Sequence, residues 1–442
     1  MDIRITPRRF FGNVKIPASK SHTIRQLFIA SLADGISTIK NPLDSLDTRS
    51  CIAACRAFGA ELNDENKLSW KIKGNNNFTH QCEKSPININ AGNSGTTLFF
   101  ALAIAALQPH PVMFIGDDQI QKRSAAPLLE ALTGLGIYSQ SNNGCVPIMV
   151  KGTWKGGRVS LPCPTSQYLS ALLIAAPLAP AGTITEIDVP ILNEKPYIEM
   201  TLSYLKALNI PFEANADYSH FVIPGGCKYH GSKMRSIPGD FSSAAFPAAA
   251  AAITGGSVTL LGLDPQDTQG DKYFFEILQS MGCEVRWEET VSGDNKREWS
   301  CLISRSGSLH GGTFDLNKTP DLLPAAAVVA AYAQGDTAFL NVAHARIKET
   351  DRIAVIAREL AKLGVHCTEL PDGLIVHGKG AVLPALLPSE NIVIDGHGDH
   401  RIVMAFAVSA LGSSVPIKIT TAECVEVTYP HFWDLIQNLT FE

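Results

Sequence analysis

Six basic residues stand where sequence patterning predicts the start of a helix. They are Lys20 in PASKSHTIR, Arg123 in GDDQIQKR, Lys195 in NEKPYIEMTL, Lys348 and Arg352 in RIKETDR, and Arg401 in GDHRIVMA. Arg25 follows one turn into the first of these helices. A helix start exposes free backbone N–H groups and partial positive charge. A cation there loses roughly 0.3–1 kcal/mol, about what an anion would gain. Solvated helix ends account for any one of them. Repetition along one chain points instead to a strongly anionic ligand, phosphate or carboxylate, shared by helix ends and cations. Arginine can grip either group through two parallel hydrogen bonds, while lysine acts as a point charge.

Other predicted helix starts offer uncharged donors. Asn93, Ser94, Gly95, Thr96 and Thr97 form a turn suited to close approach of an anion. Thr165, Ser166 and Gln167 supply two hydroxyls and an amide. Each set also reads as a plain N-cap. Few groups could move protons. Asp321, after Pro320, is either a first-turn cap or a partly buried general base. Glu349 lies between Lys348 and Arg352, where neighbouring cations tune a carboxyl. Asp399 and His400 could be purely structural. There is no Walker-type phosphate loop and no full G-x-G-x-x-G fingerprint, so nucleotide binding has no specific support.

Composition narrows the class. The chain has 442 residues, 45% hydrophobic and 18% charged, with 37 basic and 42 acidic side chains for a net charge of −5. That length predicts two or more domains. With no basic run, no nucleic-acid partner is expected. The longest apolar runs are about half a membrane span, and the first residues lack the apolar core of a signal peptide. A cytoplasmic enzyme is the expectation. Ten scattered cysteines include one close pair, Cys51 and Cys55, and no completed zinc set. They read as reduced thiols with no metal role.

The elements that must position these groups recur. Ala- and Leu-rich helices are predicted to begin near Lys20, Gly92, Thr165, Asp240, Thr319 and Asp399. They are apolar nearly all round, so they should be buried. An amphipathic helix follows each start by about 25–31 residues, with β-like runs between. The repeat is a mixed α/β module of about 75 residues, present six times and splitting three plus three. The crossing falls near RSIPGDFSSA (235–244), DNKRE (294–298) reads as an exposed turn, and Ile3 to Ile16 belongs to no complete unit.

Ten motifs in order make the chain resemble the enolpyruvyl transferase family, and within it the EPSP synthases. They are PASKSHTIR (17–25), AGNSGTT (91–97), GDDQIQKR (116–123), TSQY (165–168), EKPYIEMTL (194–202), GDFSSAAF (239–246), QGDK (269–272), PDLLPA (320–325), RIKETDR (346–352) and GDHRIVMA (398–405). The resemblance implies an α/β fold of two domains, each with three βαβαββ-type units around buried helices, an inside-out α/β barrel. It implies residues 19–237 as one domain and 1–18 with 238–442 as the other, with the active site in the cleft between them. The implied reaction moves the enolpyruvyl group of phosphoenolpyruvate to the 5-hydroxyl of 3-phosphoshikimate and releases phosphate, on the way to chorismate and the aromatic amino acids. Phosphoenolpyruvate and 3-phosphoshikimate are then the small-molecule partners of a monomer, with no cofactor and no metal. Together the two carry up to about six negative charges, which accounts for the cations.

The resemblance also assigns roles. Lys20 touches the reacting phosphoenolpyruvate and serves both substrates. Ser21 and Arg25 hold the shikimate carboxylate. Gly95 and Arg123 hold phosphoenolpyruvate, with Arg123 on its phosphate. Thr165 and Ser166 bind the 3-phosphate, and Gln167 lines the space between substrates. Asp321 accepts the 5-hydroxyl proton, and Lys348 contacts the acceptor nearby. Glu349 is the acid for the methylene carbon. Arg352 and Arg401 clamp the phosphoenolpyruvate carboxylate. Three positions depart from the pattern. Val427 replaces a common Lys, Phe99 a common Arg, and Glu194 a common Ser; Glu194 is expected to stay out of phosphate binding, with Lys195 and Tyr197 as minor contacts. The competing readings are a UDP-N-acetylglucosamine enolpyruvyl transferase, whose mobile loop carries a Cys that GDDQIQKR lacks, and a non-catalytic anion-binding relative. Glyphosate is expected to compete with phosphoenolpyruvate.

Overall fold

The computed structural model describes residues 1–76, 86–232, 236–291, 297–380, 383, 392–438 and 440–441. Cys82, Arg235 and residues 294–296 of the DNKRE segment lie outside the described residues. The chain divides into two compact units, Ala18–Ile237 and Met1–Pro17 with Pro238–Glu442. It therefore passes between units twice.

The unit Ala18–Ile237 contains α1 (Lys20–Ser31), α2 (Leu46–Ala57), α3 (Gly95–Ala105), α4 (Ala126–Gly134), α5 (Gln167–Ala175) and α6 (Lys195–Ala207). α1, α3 and α5 are the apolar kind, and α3 packs against both others. In α3, GTTLFFALAIA, every residue but Thr96 is buried. Ala101, Ala103 and Ala105 are fully buried along it beside Leu98, Phe100 and Leu102. α2 begins with a capping box, Ser45 and Thr48 each bonding the other's backbone N–H.

The unit of Met1–Pro17 and Pro238–Glu442 repeats the plan with α7 (Phe241–Thr254), α8 (Tyr273–Ser280), α9 (Leu323–Ala331), α10 (Arg352–Lys362), α11 (His400–Leu411) and α12 (Phe432–Asn438). Here α7, α9 and α11 pack against one another. α10 is amphipathic, burying Ile353, Val355, Ile356 and Leu360 and exposing Arg358 and Ala361.

Three of the modules carry four-stranded mixed sheets of one pattern, whereas Ile36–Lys40, Ser69–Lys73 and Glu61–Asn63 form a wholly antiparallel one. Ile87–Asn90 runs parallel to Val112–Ile115, with antiparallel Cys145–Gly152 and Ile137–Asn142 beyond. Gly157–Ser160 with Ile184–Asp188, and Thr313–Asp315 with Gln334–Leu340, start sheets of the same pattern. In these three modules the chain order is strand, helix, strand, helix, strand, strand. The N-terminal segment completes the second unit: Ile3–Ile5 pairs antiparallel with Ile417–Ile419, and Arg9–Lys15 pairs parallel with Ser257–Leu261.

Two predicted helix starts are misplaced by the sequence reading. Lys348 and Glu349 do not open α10; they follow a 3-10 helix, Ala343–Ile347, and the α-helix begins at Arg352 behind its N-cap Asp351. Asp351 accepts from Ala354 N at 3.1 Å, so the helix starts at Arg352 rather than at Lys348. Arg123 does not open α4 either. It ends a 3-10 turn, Ile120–Lys122, and α4 starts at Ala126 with Pro127 in its first turn.

Among the described residues, no helix is long and apolar enough to cross a membrane, and no group of three or more His, Cys, Asp or Glu could hold a metal ion. Cys51 and Cys55 are buried free thiols on α2.

Candidate active site

In the unit Ala18–Ile237, three elements converge at the start of α3. Ser94 caps the helix by accepting from Thr97 N, and Gly95 is its first residue. A Cβ built on Gly95 would lie 2.9 Å from Arg123 Nη1 and 3.4 Å from Gln167 Oε1. The glycine thus leaves room for an arginine and an amide from separate segments. Arg123 Nη2 donates to Asn93 Oδ1 at 3.3 Å, and Asn93 is itself hydrogen-bonded to Gln119. Phe99, where an Arg was the common residue, packs edge-on against Tyr168 with centroids 4.9 Å apart. It is 4% exposed and contributes to the core.

At the start of α5, Ser166 and Thr165 already have an anion. Glu194 Oε2 accepts from Ser166 N at 3.0 Å, Ser166 Oγ at 2.8 Å and Thr165 Oγ1 at 3.2 Å. Glu194 is buried, with φ +58 in the left-handed region. That conformation costs a non-glycine residue about 1–2 kcal/mol, which charge-assisted hydrogen bonds offset. Glu194, left out of substrate binding by the sequence reading, thus engages the very donors that reading gives to the 3-phosphate. Repulsion argues against a phosphate and this carboxylate sharing the three donors. Lys195 and Tyr197 lie in the first turn of α6.

The α1 cations are also paired internally. Lys20 Nζ donates to Asp47 Oδ2 at 2.9 Å. Asp47 is buried in the first turn of α2. Arg25 is 2% exposed. It donates to Thr201 Oγ1 at 2.8 Å, and to Ser21 O, Ser170 Oγ and Tyr197 O at 3.1 Å. The Phe100 and Tyr197 rings lie 5.3 and 5.9 Å from its guanidinium carbon. Burial pulls its pKa down to about 10, leaving it charged at neutral pH. Ser21 stays partly exposed beside it.

In the other unit, Asp321, Lys348, Glu349, Arg352 and Arg401 form one cluster. Arg352, 0% exposed, donates to Asp321 at 2.8 Å, to Glu349 at 2.5 Å, and to both Asp399 oxygens at 2.8 and 3.2 Å. Arg401 Nη2 donates to Asp321 Oδ2 at 3.0 Å, and Lys348 Nζ lies 3.9 Å from Asp321 Oδ1. Burial alone would raise the Asp321 pKa; Arg401, Lys348 and Arg352 outweigh it and hold the carboxyl below the usual range. Asp399 behaves alike, burial being outweighed chiefly by Arg352. Asp399 also caps α11, accepting from Arg401 N at 2.9 Å. Cation meets helix start here without penalty because the cap is itself a carboxylate.

Asp271 is a member that sequence reasoning missed. It is 1% exposed, bonded through Oδ2 to Ser242, and its Oδ1 has no hydrogen-bond partner among the described residues. Burial, then the Asp321 charge, push its pKa up to about 7. An acid whose folded pKa is raised loses stability as pH climbs from its unfolded value near 3.8 through about 7. Asp271→Asn should remove that fall, gaining roughly 4 kcal/mol at most at pH 8. Urea unfolding at pH 4.5 and pH 8 checks this; a variant with the parent's pH slope contradicts it.

The profile of the EPSP synthase (3-phosphoshikimate 1-carboxyvinyltransferase) family matches residues 5–436. The chain belongs to the EPSP synthase family. A 3-phosphoshikimate 1-carboxyvinyltransferase of Acetivibrio thermocellus is 44% identical over 99% of this chain and 98% of its own length. One from Methanocella arvoryzae is 40% identical over 98% and 97%. A solved EPSP synthase structure from Acinetobacter baumannii superposes with a TM-score of 0.80 at 27% identity, covering 99% of this chain and 98% of that one. The EPSP synthase fold, two units of repeated α/β modules around buried helices, is the fold of this chain. Among the departures from the usual EPSP synthase pattern, Val427 ends a 3-10 helix, Ala422–Val427, and is half-buried.

Proposed function

We propose that the chain transfers the enolpyruvyl group of phosphoenolpyruvate to the 5-hydroxyl of 3-phosphoshikimate, releasing phosphate. The product feeds chorismate and aromatic amino acid synthesis. The observation that carries this reading is the match to the EPSP synthase family over residues 5–436. The geometry around Asp321 supports it. A carboxylate meets Arg352 and Arg401 at hydrogen-bond distance, with Lys348 at 3.9 Å. Those arginines suit the substrate carboxylate. Glu349, bonded to Arg352, is the proposed acid for the methylene carbon.

Arg401, Lys348 and Arg352 hold the Asp321 carboxyl below the usual range, away from the pKa that suits a general base. Binding an anion on Arg352 and Arg401 offsets their charge, so Asp321 becomes more basic when substrate arrives. The hydroxyl then loses its proton to Asp321 as it attacks the enol carbon while Glu349 protonates the methylene; the tetrahedral intermediate next expels phosphate as its new methyl group returns a proton to Glu349, restoring the carbon–carbon double bond. Lys20, Gly95, Arg123 and Gln167 are proposed for phosphoenolpyruvate. Lys20, Ser21, Arg25, Thr165, Ser166, Gln167, Asp321 and Lys348 are proposed for the acceptor. We place the protein in the cytoplasm as a monomer of 47.5 kDa.

Phosphate release with phosphoenolpyruvate plus 3-phosphoshikimate, compared with phosphoenolpyruvate plus UDP-N-acetylglucosamine, tests the reading. Release with the first pair alone is expected; release with the second pair overturns it. Gly95→Ala should raise KM for phosphoenolpyruvate about tenfold, because the new methyl displaces Arg123, whose Nη1 would lie 2.9 Å away. It should weaken glyphosate inhibition as well and leave KM for 3-phosphoshikimate within about twofold. Steady-state kinetics with each substrate varied checks it.

A further inference from the structure

Glu194 occupies a donor set built for an anion. A backbone amide and two hydroxyls, from Ser166 and Thr165, converge on its Oε2 at 2.8–3.2 Å. That arrangement at the start of α5 is what a phosphate oxygen would take. Glu194 is 2% exposed and has a left-handed backbone, so its carboxylate is lodged there rather than loosely solvated. Two anions sharing these three donors would repel each other.

We propose that Glu194 is a specificity-determining residue, a built-in competitor that must release Thr165 and Ser166 before a phosphorylated acceptor binds. This rests on the reading that those two residues take the acceptor's 3-phosphate. Glu194 then sets the affinity for 3-phosphoshikimate below what the donors alone would give. Shikimate without its phosphate never competes with the carboxylate and is unaffected.

Calorimetric titration of the full chain with 3-phosphoshikimate and with shikimate tests this in the parent, Glu194→Gln and Glu194→Ser, with thermal unfolding alongside. Gln keeps the shape and removes the charge; Ser removes the competitor. The expected result is about tenfold tighter 3-phosphoshikimate binding in each folded variant, with shikimate within about twofold. Unchanged or weaker 3-phosphoshikimate binding overturns the proposal while leaving the functional reading intact. Parallel shifts for both acceptors do the same, since they report a structural cap. A parent that binds no 3-phosphoshikimate overturns both. A crystal of the parent soaked with 3-phosphoshikimate decides independently of folding: Glu194 displaced from Ser166 N supports the proposal, and Glu194 in place beside bound phosphate refutes it.

Discussion

Asp321→Asn should lower turnover by about 10²–10⁴-fold, the range of a lost general base. Affinity for phosphoenolpyruvate should stay the same or tighten. The second half follows from charge: Asp321 neutralises Arg352 and Arg401 at 2.8 and 3.0 Å, and its removal leaves them more available to an anion. A carboxylate that merely balanced charge would give tighter binding with unchanged turnover. The parent's pH profiles add a second reading. Asp321 is held well below the usual carboxylate range in the free chain, and substrate binding should raise it. The acid limb of kcat should therefore lie at higher pH than that of kcat/KM. Coincident limbs would remove the coupling between anion binding and basicity.

Arg352→Met should cost about 3–5 kcal/mol of stability at pH 7, the usual effect of deleting one partner of a buried ion network. Three carboxylates, Asp321, Glu349 and Asp399, would lose their common cation, and Asp399 is fully buried. The sign with pH is set by the lowered pKa values of Asp321 and Asp399. In the parent their contribution is complete above the unfolded value of 3.8 and disappears as pH falls through the folded values. In the variant the same carboxyls resist ionising, so acid relieves it. The deficit should shrink as pH drops from 7 towards 4. Chemical denaturation at the two pH values measures it, and an equal deficit at both would contradict the network's role.

The sequence shows the buried helices well because their signal is local. Small polar residues followed by Ala and Leu mark α1, α3, α5, α7, α9 and α11, each within a few residues of its observed start. It also marks the charged residues gathered around Asp321. What it misses depends on contacts between distant segments. Asp47 is 27 residues from Lys20, and Asp399 is 47 from Arg352. Neither spacing has a periodic signature. The cations at helix starts raise the same issue. Sequence alone suggests they await an outside anion, whereas the fold first supplies carboxylates of its own. Glu194 is the sharpest case, since nothing local in the sequence marks its hydrogen bonds to Ser166, 28 residues away. Lys348 and Arg123 were displaced by short 3-10 turns, whose patterns do not differ from those of a helix's first turn.

Phosphoenolpyruvate labelled with ¹⁸O at the bridging oxygen gives the most direct test of enolpyruvyl transfer. Incubated with the protein and 3-phosphoshikimate, the label should leave with inorganic phosphate, because the bond broken is carbon to oxygen. Label retained in the organic product would mean phosphorus–oxygen cleavage, a phosphoryl transfer, and would contradict the roles given to Asp321, Glu349 and the two arginines.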